Sequence, residues 1–301
     1  MAAPESDAQG RWAELIASRQ ILAGQSLQTW HATAIAGRSR AGQYVYVRTG
    51  DDARLVARRP YPINTADSAT GTITIQVGTA DSAAGRAPPG PDAWLADRRP
   101  GDRAELNGPL GRPFEVDPRA QHILLIAEGP GIAGVRALAD EAILHGRQVT
   151  LLFGAGSARE VYPSSLLPDE LEYVVATVDG SLGHHGSVAD LVPEYEAWAD
   201  QAFASGPPEL LRVLAHLAVT RRGRLGVASL GRRRGGGRAI PAGSTQARRK
   251  AFLQVAMQQT IGCAAGTCLG CAVLSGSGSP LRVCREGPVF AAGEIDWETV
   301  R

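Results

Sequence analysis

The four cysteines of this 301-residue chain, Cys263, Cys268, Cys271 and Cys284, all fall within one short segment towards its C-terminal end. Four residues separate the first two, two separate the next, and twelve precede the last. Thiolate is a soft ligand, and a pair of irons bridged by sulfide needs four such ligands. The first three cysteines have the C-x4-C-x2-C spacing that serves [2Fe–2S] clusters. Gly262, Ala264, Ala265, Gly266, Thr267 and Gly270 lie around them. A loop without bulk can wrap tightly and aim its N–H groups at sulfur, which tunes a cluster's potential.

Two other uses of cysteine compete with this reading. Structural zinc sites usually pair two short spacings or recruit a nearby histidine. Here the triple is asymmetric, and the nearest histidine in sequence is His216. Disulfides belong to secreted chains, whereas the opening MAAPESDAQGRWAEL has no apolar signal segment. No run approaches the length of a membrane span. The expectation is a cytoplasmic protein with reduced thiols.

The elements that must position these cysteines follow from patterning. Residues up to about Gln20 read as a short amphipathic helix or a frayed end. From Ser26 to Val116 short apolar runs (SLQTWHATAIA, GQYVYVRTG, ARRPYPIN, GTITIQVG, DRAELNGPLG) alternate with Gly, Pro and Asp turns, as in an antiparallel barrel. DSAAGRAPPGPD reads as a loop. From about Gln121 the pattern changes: HILLIA, VTLLFGA and LEYVVATVDG read as strands. Val135, Leu138, Ala139, Ala142 and Ile143 recur at helical spacing between the first two. Strand–helix–strand alternation implies a parallel sheet. ELLRVLAHLAV reads as a later helix, and AFLQVAMQQ leads into the cysteine loop. The expected fold class is thus multidomain β plus α/β: a barrel over 26–118, an α/β domain over 119–230, an insertion over 231–250 and a cysteine-bearing module over 251–301.

Charge is unevenly placed. The net charge is +1, yet Arg221 to Lys250 holds ten of the 31 basic residues and no acid. That stretch is Gly- and Arg-rich without interleaved aromatics, so it reads as a solvated insertion rather than a nucleic-acid site.

Three further segments can carry chemistry. Arg58-Arg59-Pro60-Tyr61-Pro62-Ile63 sets a guanidinium beside an aromatic ring, which suits a flavin's phosphate and flat ring, though strand-end arginines are commonly just solvated. Glu128-Gly129-Pro130-Gly131-Ile132-Ala133-Gly134 sits where a parallel strand turns into a helix. Its glycines can admit a phosphate to backbone N–H groups, or simply make a tight turn. Asp179 to Gly186 is a polar glycine loop whose two histidines read as surface residues. No nucleophile–base pair stands out.

In this order the segments resemble the electron-transfer subunits of NAD-dependent dihydroorotate dehydrogenase, within the ferredoxin–NADP reductase-like superfamily. The resemblance runs over Gly42-Gln43-Tyr44-Val45, Arg58 to Ile63, Arg98 to Asp102, Gly108 to Gly111, Asp179-Gly180-Ser181 with Gly186, and most specifically Cys268-Leu269-Gly270-Cys271 and Val283 to Phe290. It implies an FAD-binding barrel, an NAD-binding domain and a [2Fe–2S] module. A separate FMN-containing dihydroorotate dehydrogenase catalytic subunit would complete a two-plus-two heterotetramer, with no nucleic acid and no membrane span involved. Electrons would pass from that FMN through the cluster and FAD to NAD+. The implied FAD contacts are Arg59, Pro60, Tyr61, Pro62 and the strand Ile75-Gln76-Val77; Gly129 and Gly131 would serve the nucleotide, and the four cysteines the irons. The chain departs from the pattern at Pro62 (Ser or Thr in the family), at Pro91-Asp92 (Gly-Thr), at Pro130, and at Ser205-Gly206-Pro207 (Cys-Gly-Pro, facing the nicotinamide).

Overall fold

The computed structural model describes residues 12–49, 57–78, 91–226 and 251–300, with residue 264 excepted. Six strands close an antiparallel barrel: β1 (Trp12–Leu22), β2 (Gln25–His31), β3 (Tyr44–Thr49), β4 (Ala57–Asp67), β5 (Thr72–Gly78) and β6 (Arg103–Leu110), in the order β1-β2-β5-β4-β3-β6. Alternation sorts its side chains. Leu15, Trp30, Val45, Val47, Ile63, Ile73, Ile75 and Val77 fill the interior. Two short helices, α1 (Thr33–Ala36) and α2 (Pro91–Ala96), pack against its strands.

The N-terminal stretch corrects the sequence reading, because WAELIASRQIL is a barrel strand rather than a helix or frayed end. Its Ala, Glu and Leu content favours helix. Pairing with β2 and with β6 overrides that preference, since without β1 the barrel would keep two open edges. Ala13 and Leu15 are accordingly buried while Trp12, Glu14 and Ile16 face out. SLQTWHATAIA likewise splits: strand ends at His31 and its Ala-rich remainder turns into α1. The loop expected over DSAAGRAPPGPD lies outside the described residues except for Pro91-Asp92, which open α2.

The second half is a seven-stranded sheet. β7 (His122–Glu128), α3 (Ile132–Leu144), β8 (Gln148–Ala155), β9 (Glu172–Thr177), β10 (His184–His185), α4 (Val192–Glu196), β11 (Gln201–Gly206) and α5 (Pro208–Gly226) follow in chain order. After α5 come β12 (Leu253–Met257), β13 (Ala272–Leu274), β14 (Pro280–Arg282) and β15 (Val289–Ala291). The sheet order is β10-β9-β8-β7-β11-β12-β15, parallel throughout except for β15. β12 and β15, from the segment expected to form a separate module, thus hydrogen-bond into the nucleotide-type sheet. Only the β13–β14 hairpin and the cysteine loop stand off it. The acidic tail is docked: Trp297 and Val300 are buried, and Arg212 of α5 donates to both their carbonyls at 3.0 and 2.6 Å. Of the basic stretch, the start lies on α5 and residues 227–250 lie outside the described residues.

Candidate cluster and flavin site

The cysteine loop spans from the end of β12 to β13, and Cys284 follows β14. The β13–β14 hairpin brings them together: Ala272 pairs with Arg282, so the residues flanking that pair, Cys271 and Val283, are joined by a Val283 N–H to Cys271 carbonyl bond of 3.2 Å. All four thiols are free; Cys271 and Cys284 are buried, Cys263 is half-buried and Cys268 exposed. They fall into two pairs. The Cys263 sulfur lies within hydrogen-bonding reach of Cys268, and Cys284 within reach of Cys271.

The two pairs have opposite electrostatics. The backbone N–H of Cys268 and the Thr267 hydroxyl pull the Cys263 thiol down to about 5, so it is a thiolate at neutral pH. Burial, then the neighbouring Cys271 thiol, pushes Cys284 up to about 11. The loop's small residues leave room: a Cβ at Gly262 or Gly270 would sit 3.8 or 3.6 Å from the Cys268 sulfur. Gly270 N–H already donates to that sulfur at 3.4 Å. Leu269, between Cys268 and Cys271, holds φ of 57°, a left-handed conformation that lets the loop turn between two ligand positions. Two pairs suit two irons, each with two thiolates. The donor set therefore fits a [2Fe–2S] cluster.

The loop rests on the barrel. Tyr44 and Tyr46 project from β3 on the face opposite Val45 and Val47. They join a core that includes Ile261, Cys271, Val283, Cys284 and Phe290. On β4, Pro62 lies opposite Tyr44 and Pro60 opposite Tyr46, while Tyr61 and Arg59 pair with Val45 and Val47. One two-stranded ribbon thus carries the flavin candidates and supports the cysteine loop.

The flavin candidates are placed unevenly. Arg59 is half-buried and its Nε is buried without a partner, as a guanidinium awaiting an anion would be. Tyr61 is buried and donates its hydroxyl to the Asp92 carboxylate of α2; burial first, then Asp92, raises its pKa. That hydroxyl is therefore already spent within the protein. Ile75 and Val77 have their side chains in the barrel core, so from these two only backbone can meet a ligand. Gln76 between them points outward, bonded to Gln25 at 2.6 Å, and its buried Oε1 has no partner. Trp94 Nε1 is likewise buried and unpartnered. Unsatisfied groups on Arg59, Gln76 and Trp94 fit a polar, phosphate-bearing cofactor. Asp92 is a group of the wrong sign for it.

At the C-terminal ends of β7, β8 and β11 a cleft of about 450 Å³ is lined by Glu128, Gly154, Ser187, Pro207, Glu209 and Leu210, among others. It straddles β7 and β11, where the strand order reverses and open α/β sheets take their ligands. Glu128 is raised by burial and then by Glu209. Among the described residues no lysine or arginine lines the cleft. Its two carboxylates suit a positively charged ring better than a phosphate. Gly131 lies at the start of α3, and a Cβ there would run into the Ser205 carbonyl, so close helix–strand packing by itself demands glycine. Gly129, with φ of 51°, has open space around it. Ser205 does not face the cleft: it is buried, with an unpartnered Oγ turned toward Gly134 of α3. The Asp179–Gly186 loop is closed on itself, Asp179 accepting from the Ser181 N–H and hydroxyl, and its histidines are exposed.

Sequence reasoning missed Tyr46 and Asp92's grip on Tyr61, because both depend on contacts far apart in the chain. In the sequence Asp92 shows only as a departure from the family's Gly-Thr pair.

With this geometry established, comparison with known proteins is specific. Residues 258–296 match the iron–sulfur cluster binding domain of dihydroorotate dehydrogenase B. The chain is similar to the electron-transfer subunits of that enzyme. Over 292 residues it is 27% identical to the dihydroorotate dehydrogenase B (NAD(+)) electron transfer subunit of Desulforamulus reducens, covering 95% of this chain and 98% of the relative. The Bacillus caldolyticus subunit of the same name is 27% identical over 294 residues, with 95% and 98% covered. Among solved structures, an NADH-dependent reduced ferredoxin-NADP oxidoreductase superposes with a TM-score of 0.72 at 21% identity, covering 95% of this chain and 90% of that one. A ferredoxin NADP+ reductase of Neisseria gonorrhoeae gives 0.55 at 14% identity over 69% of this chain and 90% of its own. The fold is that of the ferredoxin–NADP reductase-like proteins, with an iron–sulfur binding segment added at the C-terminal side.

Proposed function

We propose that this chain is the electron-transfer subunit of a dihydroorotate dehydrogenase of the NAD-dependent kind, passing electrons from an FMN-containing catalytic subunit through a [2Fe–2S] cluster and FAD to NAD+. The observation that carries the reading is the placement of two thiol pairs against the same β3–β4 ribbon that bears Arg59 and Tyr61. Similarity along nearly the whole chain to subunits of that name supports it.

In this reading Cys263, Cys268, Cys271 and Cys284 hold the irons, and Arg59, Pro60, Tyr61, Pro62 and the backbone of Ile75, Gln76 and Val77 border the flavin. Gly129 and Gly131 admit nucleotide phosphate to the start of α3. When bound, the cluster and flavin supply the redox chemistry, single electrons on one side and hydride exchange with a nicotinamide on the other. The chain's residues do the rest. Cys263, held as a thiolate by its neighbours, needs no proton removed before it can ligate. Burial of Cys271 and Cys284 keeps water from one side of the site, while exposed Cys268 marks the side open to a partner. Arg59 supplies a fixed positive charge for phosphate. Glu128 and Glu209 place negative charge where a cationic nicotinamide would sit.

The partner is a dihydroorotate dehydrogenase catalytic subunit, which we take to assemble with this one two plus two. No helix among the described residues is long and apolar enough to cross a membrane. A cytoplasmic setting, which keeps thiols reduced, goes with the reading. Anaerobic titration with NADH tests it: the visible flavin absorption should bleach first, followed by the cluster bands. A coloured protein that NADH leaves unchanged would argue for a different electron acceptor.

A further inference from the structure

Tyr46 is 2% exposed, yet it belongs to a barrel strand whose inward side chains are Val45 and Val47. Its ring therefore leaves the barrel and enters the cysteine-bearing core. Its hydroxyl donates to the Ile261 carbonyl at 2.5 Å, across 215 residues of sequence. Ile261 stands two residues before Cys263 and four past the end of β12, on the way into the cysteine loop. Neighbouring Tyr44, 3% exposed, makes only a long contact of 3.4 Å to the Cys284 carbonyl. The two rings pack at 6.1 Å and 56°. On the other strand of the ribbon Pro60 lies opposite Tyr46, flanked by Arg59 and Tyr61.

This geometry has a simple consequence. Ile261 is followed by a loop of small residues; two of its hydrogen bonds run to its own sulfurs and a third joins the Gly266 carbonyl to Arg282 of the same segment, so none of the three fixes its height above the barrel. A single buried bond from a rigid aromatic supplies that fix, because a tyrosine ring has two torsions and, once packed, cannot drift. The bond also satisfies the carbonyl of buried Ile261 at the loop's entry. A tyrosine at this position has no local signature: YVYV reads as ordinary strand, and its role arises only when the cysteine segment folds back onto β3.

We infer that Tyr46 is a positioning residue for electron transfer, setting through the Ile261 carbonyl where the Cys263–Cys268 pair sits relative to the flavin-bearing ribbon. The inference rests on the reading that the cysteines hold a cluster and that the β3–β4 ribbon holds a flavin. It adds which barrel residue sets the cluster's place.

The test uses the anaerobically prepared holoprotein and compares wild type with Tyr46→Phe and Tyr44→Phe. Both variants keep the ring and the packing, and native flavin content with an unchanged thermal melt reports that they fold. Tyr46→Phe should bind iron, but lose it to a chelator roughly tenfold faster, the worth of one ordinary hydrogen bond. It should also shift the electron paramagnetic resonance signal of the reduced cluster and its midpoint potential, which a purely stabilising bond would leave in place. Tyr44→Phe, losing only a long contact, should change iron loss less than about twofold. Wild-type behaviour of Tyr46→Phe in both signal and potential would overturn the inference, as would equal effects from the two variants. Failure of Tyr46→Phe to retain iron would support it if Tyr44→Phe retains iron, and overturn it if both lose the cluster. Absence of iron from the wild type is a separate result that removes the cluster reading itself.

Discussion

Replacing Glu286 with glutamine isolates an ion pair that closes the cysteine loop. Arg282 Nε and Nη2 reach the two Glu286 oxygens at 3.1 and 2.5 Å, and the Arg282 N–H donates to the same carboxylate at 2.7 Å. The remaining nitrogen, Nη1, donates to the Gly266 carbonyl at 3.1 Å, between Cys263 and Cys268. Glu286 is thus a brace: it orients a guanidinium whose far side holds the loop. The Arg282 hydrogen bonds hold the Glu286 carboxyl down to about 2 from its ordinary 4.5. Converted directly, such a shift corresponds to ~3 kcal/mol. Both side chains, however, are about one-third exposed (36% and 35%), so water screens the pair and ~1 kcal/mol, at most about 1.5, remains. That is about a five- to tenfold rise in loop opening. Glu286→Gln holoprotein should therefore lose its visible absorption to an iron chelator about five- to tenfold faster at neutral pH. The sign with pH follows from the depressed carboxyl: its stabilisation is complete above about 4.5 and fades as pH falls toward 2. The rate ratio of variant to wild type should be flat from neutral pH down to about 5 and narrow below it. Equal bleaching rates at neutral pH would refute the brace.

Three other outcomes are expected. Cys268→Ser should abolish cluster absorption while the flavin stays bound; cluster bands surviving in that variant would remove Cys268 from the ligand set. Arg59→Ala should release flavin during gel filtration if, as proposed, the guanidinium with the unpartnered Nε serves as the phosphate's counter-charge; unchanged flavin stoichiometry counts against that role. Glu128→Gln should reduce the preference for NAD+ over NADH by about two- to fivefold, the worth of a partly screened charge interaction. The wild-type preference should itself shrink as falling pH protonates Glu128, whose pKa burial and Glu209 have raised. Titrations with both nucleotides decide this, and an unaltered ratio in the variant sinks it.

Much of this architecture can be read before folding, and the exceptions share one cause. The cysteine spacing is a local statement of ligand geometry, so Cys263 to Cys284 are recognisable in one dimension. The α/β half is legible too, because HILLIA and the 3.6-residue recurrence through Ile143 announce strand and helix. β1 misleads because its residues prefer helix while its pairing with β2 and β6, the latter some ninety residues away, decides otherwise. Tyr46 and Asp92 are invisible for the same reason: each acquires its role from a partner brought in by tertiary folding, Ile261 in one case and Tyr61 in the other. Gly131 teaches the converse. It can be read as a phosphate contact, yet the Ser205 carbonyl behind it already requires glycine. Ile75 and Val77 show how family position and side-chain direction can part, since both fill the barrel interior while Gln76 alone looks outward.

The central claim is that thiols from one folded-back segment hold two irons against the flavin ribbon. The most direct measurement is iron and acid-labile sulfide per chain in protein purified without oxygen. The account predicts about two of each. One zinc per chain with no sulfide, or no metal at all, would contradict it.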